Sequence, residues 1–98
     1  MEELIINGKR YETIKIELPK TTLLIIKGEK GFIMCGALNV EVYNSPQMIE
    51  RNVLCASVRG VKTISDMLNA TIYDVSYGLK KLGVYKGMRV DEALVYIS

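Results

Sequence analysis

Histidine is absent from this 98-residue chain, which removes the commonest general base and the commonest metal ligand. A Ser/His/Asp or Cys/His mechanism built within one chain is thereby excluded, and neither a metal nor a cofactor is expected. Cysteine is nearly absent too, with only Cys35 and Cys55. A lone bridge is not expected in a chain without a secretion signal, so both are read as free thiols. Long apolar runs are also missing. The longest, Thr22 to Ile26 with its neighbours, is far short of the roughly 20 residues a membrane-spanning helix needs, and residues 1–18 lack a signal peptide's unbroken apolar stretch. A cytoplasmic protein with no membrane partner is the expectation. The 13 basic and 11 acidic residues are scattered, leaving a net charge of +2. There is no block of like charge and no stripe of aromatic side chains between basic ones, so nucleic acid is not an expected partner.

What is present describes an ordinary globular chain. Apolar residues make up 49% and charged ones 24%, usage that rules out disorder and fibrous repeats. The length suits one domain spanning 1–98 with a single core. Its pattern reads as α+β: an N-terminal antiparallel β-meander, a strand–helix–strand unit, then C-terminal helices.

Leu4-Ile5-Ile6 is followed by Asn7-Gly8, a pair that tolerates the positive φ of a tight hairpin turn. Beyond it Ile14, Ile16 and Leu18 alternate with Thr13, Lys15 and Glu17, which predicts a hairpin with one wet face. Pro19 ends that strand. Thr22-Leu23-Leu24-Ile25-Ile26 is apolar on both faces, as a strand covered on both sides must be, and Gly28-Glu29-Lys30-Gly31 turns the chain into Phe32-Ile33-Met34-Cys35. About four strands result. Asn39 is a good N-cap, and Val40, Tyr43 and Ile49 fit one face of a helix towards Arg51, although Pro46 must break it and Val40 to Tyr43 also reads as a strand. Val53 to Val58 is a short buried strand closed by Arg59-Gly60. If the segment between is helical, the strands on either side of it lie parallel.

Thr63-Ile64-Ser65-Asp66 and Thr71-Ile72-Tyr73-Asp74 both have capping-box spacing and predict two helix starts. Ile64, Met67 and Leu68 mark the inner face of the first helix; Val75, Gly78, Leu79 and Leu82 mark that of the second, which Gly83 stops. Val90, Ala93, Leu94 and Ile97 repeat the spacing in a last helix, with Asp91 and Glu92 at its positive end. The paired helices lack the basic exposed first turn of a DNA-reading helix-turn-helix.

Three stretches carry a family resemblance: Gly31 to Asn39; Arg59-Gly60-Val61-Lys62-Thr63-Ile64 with Asp66-Met67-Leu68; and Leu82-Gly83-Val84 and Gly87-Met88 with Glu92-Ala93-Leu94. On these the chain resembles the YunC-like family of unknown function, also known as domain of unknown function 1805, over nearly its whole length. The resemblance implies a β-rich N-terminal region, here residues 1–36, that serves tetramer formation, followed by a mixed α/β part, 37–98. It implies no reaction. Arg89-Val90 stands where the family pattern usually has a Ser/Thr-Gly pair.

Two weak candidates for chemistry remain. Cys35 ends an apolar strand just before Gly36 and a possible helix start, where amides and dipole would stabilise a thiolate; the ordinary alternative is a small buried hydrophobe. Cys55, between Leu54 and Ala56, is core. Arg59-Gly60-Val61-Lys62-Thr63 is a basic turn leading into a capped helix, the makings of an anion site, or simply a solvated loop whose Thr63 caps. If the strands ending at Cys35 and Val58 are parallel neighbours, Cys35, Gly36, Arg59, Gly60, Lys62 and Thr63 meet at one sheet edge and a small anionic ligand could bind there. The leading expectation is a homo-oligomeric module, structural or ligand-binding, with itself as partner through the N-terminal strands; the alternatives are an enzyme using Cys35 as nucleophile and a subunit of a larger complex. Leu23 and Ile25 point opposite to Leu24 and Ile26, so one face of that sheet is left for a second copy.

Overall fold

Asn7 and Gly8 take φ of 52° and 78°, a backbone that matches the twist of two antiparallel strands. They join β1 (Glu2–Ile6) to β2 (Lys9–Leu18), in a computed structural model that describes residues 2–36 and 40–98. Pro19 and Lys20, the latter at φ 65°, turn the chain into β3 (Thr21–Lys27), followed by β4 (Gly31–Met34), β5 (Leu54–Ser57) and β6 (Asp74–Val75). All six form one sheet in sequence order. Each neighbouring pair is antiparallel except β4 and β5, which run parallel with Met34 opposite Ser57. Gly31 permits that pairing, because a Cβ there would strike the Leu54 backbone.

Three short helices cover one face: α1 (Ile64–Leu68), α2 (Tyr77–Leu82) and α3 (Val90–Ala93), the last continued by a 3-10 turn, Leu94–Tyr96. Met67, Leu79, Val90, Ala93, Leu94 and Ile97 bury against Leu24, Ile26, Ile33 and Val58, so the spacing of the last helix reads as expected. Tyr11 joins this core and donates its hydroxyl to the Leu94 carbonyl at 3.0 Å. Among the described residues no helix is long and apolar enough to cross a membrane.

The architecture is α+β as read, but four local expectations change. Between β4 and β5 the chain makes two 3-10 turns, Val40–Asn44 and Ile49–Arg51, instead of an α-helix. Pro46 sits between them, unable to donate an amide and hostile to a helix before it; the expected cap, Asn39, lies outside the described residues. The second capping box does not start a helix. The Ile72 amide donates to Met88 and the Tyr73 amide to Ser57, and Asp74–Val75 becomes β6, so sheet partners distant in sequence override the local motif. Helix α2 starts after Ser76, whose hydroxyl accepts from the Leu79 amide, and Gly83 ends it at φ 109° as expected. Leu82, placed on that helix's inner face by spacing, is exposed.

The fourth change concerns the first hairpin. Thr13 pairs with Ile26 and Lys15 with Leu24, so the polar file of β2 shares the side of the core, where Thr13 is buried. Ile14, Ile16 and Leu18 share the opposite side with Leu23 and Ile25. Over β4 and β5 this second side is covered by Val40 and Tyr43 of the first 3-10 turn, packed on Phe32, Met34 and Cys55. Over β1 to β3 it is open, with Ile16 at 45% and Leu18 at 47% exposure.

Candidate functional site

The parallel pairing of β4 and β5 brings their carboxyl ends together, and the Val58 amide donates to the Met34 carbonyl at 2.9 Å. Two of the expected site residues meet there. A Cβ on Gly36 would lie 3.2 Å from Arg59 Cγ, so the glycine lets the arginine stem pass over it. The guanidinium then lies over the Tyr73 ring, 4.0 Å from its centroid.

Cys35 turns the other way. Its thiol accepts from the Leu24 amide at 3.3 Å and donates to the Thr22 carbonyl at 3.7 Å, and the residue is 4% exposed within the main core. A sulfur so held is a proton donor wedged against β3, with its reactive lone pairs turned from solvent, and the expectation of a nucleophile draws no support from this placement. Cys55 is fully buried, and burial pushes its thiol up to about 11, against a smaller downward pull from the Ser76 hydroxyl.

The basic turn divides. Gly60 takes φ 73°, and beyond it the Thr63 hydroxyl accepts from the Asp66 amide at 3.0 Å while Asp66 Oδ2 accepts from the Lys62 amide at 3.0 Å. Thr63 is thereby committed to capping α1. Lys62 borders a depression of about 550 Å³ with Glu17, Lys20 and Thr22 at the β2–β3 turn, whereas Arg59 faces Tyr73 and β6. The six expected residues thus resolve into a core thiol, a Gly36–Arg59 contact and a capped helix start.

Sequence reasoning missed the groups that Arg59 joins. Tyr73, Lys80, Tyr85 and Lys86 line a depression of about 370 Å³ between β6, α2 and the turn after it. Lys86 Nζ stands 4.7 Å from the centroid of the Tyr73 ring that Arg59 also covers, and Lys80 Nζ stands 5.4 Å from that of Tyr77. Tyrosines 73, 77 and 85 and lysines 80, 81 and 86 fall in one stretch, but nothing in the order of those residues sets Arg59 over Tyr73. Ser76 was also missed. Its hydroxyl accepts from the Cys55 amide at 3.1 Å and donates to the Val53 carbonyl at 2.8 Å, tying α2 to β5. Among the described residues, no group of three or more acidic or cysteine side chains is placed to hold a metal ion.

The second surface is the open sheet side. Ile5, Ile16 and Leu18 are the most exposed of its apolar residues, Leu23 and Ile25 are half-buried, and Ile14, Ile25, Phe32 and Tyr43 line a hollow of about 410 Å³ along it.

The model of a family described as a domain of unknown function, DUF1805, matches residues 34–97, from the end of β4 onwards. The chain is 35% identical over 92 residues to a Bacillus subtilis (strain 168) protein described as uncharacterised protein YunC, an alignment covering 94% of this chain and 90% of that one. The fold is similar to the crystal structure of a protein of unknown function, TA1206, from Thermoplasma acidophilum, with a TM-score of 0.89 and 34% identity over 99% of this chain and 90% of the other.

Proposed function

We propose a function from one premise: the chain belongs to the DUF1805 family, a domain of unknown function. It acts as a small homo-oligomeric module, a dimer or tetramer, assembled through the open side of its N-terminal sheet. One observation carries this reading. Ile16 and Leu18 on β2 are nearly half exposed beside Leu23 and Ile25 on β3, a contiguous apolar surface of the kind soluble monomers seldom leave to water. Charge favours a second copy as the occupant. Glu12 and Lys27 are cross-strand neighbours at the end of this surface, so a two-fold packing, in which the same patch meets itself, can set each against its opposite.

The test is Ile16→Lys. The residue faces solvent in the subunit, so the substitution should leave the far-ultraviolet circular dichroism unchanged while light scattering shows the assembly reduced to single chains. A folded variant that retains the wild-type mass would remove this face from the account.

A further inference from the structure

At the far edge of the sheet from β1, three cations gather around two tyrosines with one carboxylate, Asp74, beside them. Arg59 and Lys86 both lie over the Tyr73 ring, and Lys80 stands near the Tyr77 ring. The three ion pairs formed among the described residues, Arg10–Glu3, Lys15–Glu17 and Arg89–Asp91, use none of them. Tyrosine faces hold cations without neutralising them, so the positive field stays available. Asp74 is the carboxylate in the lining, which leaves these four groups with a net charge of +2.

Backbone bonds fix the place where these groups meet. The Gly87 amide donates to the Ile72 carbonyl and the Ile72 amide to Met88, both at 2.8 Å, while the Tyr73 amide donates to Ser57 at 2.7 Å and the Val84 amide to Leu79 at 3.1 Å. Tyr73 and the turn carrying Tyr85 and Lys86 are therefore held on one frame, with little rearrangement left for a ligand to impose. The depression they enclose, about 370 Å³, is at the small end of ligand sites, which span about 300–1,000 Å³. Tyr85 lines it and is 57% exposed, an aromatic face free for stacking. A bare oxyanion would use the cations and leave that ring idle.

We infer that this depression binds a mononucleotide-class ligand, its phosphate held by Lys80 and Lys86 and its planar ring against Tyr85, with Arg59 on the Tyr73 ring adding to the positive field. The lysines supply compact point charges of the kind that hold phosphate oxygens. The site stands at β6, across the sheet from the apolar surface of β1 to β3, and does not depend on assembly.

The experiment is titration of the isotopically labelled protein with AMP, inorganic phosphate and adenosine, read amide by amide in NMR spectra. AMP should shift the amides of Tyr73, Lys80, Tyr85 and Lys86 saturably and bind about tenfold or more tightly than phosphate or adenosine. Lys86→Gln should weaken AMP about tenfold, the scale of one charge-assisted contact, whereas Lys9→Gln at the first hairpin should leave it unchanged. Tyr85→Leu should bring AMP down to the affinity of phosphate while phosphate itself still binds. AMP shifts spread evenly over the lysines, or an unaltered affinity in Lys86→Gln, would overturn the site. Tighter binding of hexaadenylate than of AMP, beyond the statistical factor, would overturn the mononucleotide assignment in favour of a single strand.

Discussion

Cys55 shows how far a side chain's chemistry follows from its neighbours. Leu54 and Ala56 flank it in a short apolar run, and that alone reads as core; the structure leaves it with no exposure and raises its thiol from 9.0 to about 11 through burial. The raised value favours the protonated, folded form, so this contribution is complete below about pH 9 and is lost as pH climbs towards 11, when the unfolded thiol ionises first. Stability should fall by about 2 kcal/mol across that window. Tyr11, also raised by burial, works in the same direction. Urea titrations at pH 8 and 11 on wild type and Cys55→Ala check it, since the variant should lose less stability across the window. Cys35 was harder to read, because its place before Gly36 suits a core position and a reactive one equally. What decides its contacts is β3, eleven residues away, whose amide and carbonyl take the thiol. Iodoacetamide at pH 7.5 should modify neither cysteine in the folded protein and both in denaturant. Rapid loss of the Cys35 thiol under native conditions would return it to the list of nucleophiles.

At the scale of elements, the two capping boxes make the sharpest comparison. Thr63 does what its spacing predicts, because the start of α1 is exposed and the motif meets no competitor, while Asp66 reaches back one residue further, to the Lys62 amide. Thr71 and Asp74 have the same spacing, yet the amides between them are taken by Ser57 and Met88, partners no local window contains. Ser76 caps α2 instead, and its one oxygen serves the Leu79 and Cys55 amides and the Val53 carbonyl. Ser76→Ala should therefore cost about 3 kcal/mol in urea denaturation, a lost cap plus buried groups left unpaired. Thr63→Ala, whose partners face water, should cost about 1 kcal/mol. Equal losses would contradict the hub role given to Ser76. The hairpin teaches a related point. Alternation along Ile14, Ile16 and Leu18 shows that β2 has two unlike faces, but which one meets the core is settled by the register with Leu24 and Ile26. Short-range signals such as Asn7-Gly8 and Gly83 carried through to the fold because a turn is decided within a few residues.

The whole molecule has a radius of gyration of 12.5 Å, as expected of one domain of this length, yet its sheet is dressed unevenly. Helices α1 to α3 close one side, while among the described residues the other is covered where Val40 and Tyr43 reach it. That imbalance was legible in outline: four successive apolar strand residues, Leu23 to Ile26, ask for two coverings, and the later segments offer too few helices for both. The tyrosine and lysine edge was not, because no pattern within residues 73–86 announces that Arg59 will fold over Tyr73. Assembly through the open side is the central claim. It is tested most directly by sedimentation equilibrium of the wild-type chain at tens of micromolar. The account predicts a mass two or four times the 11.0 kDa of the chain, and a single species at 11.0 kDa would contradict it.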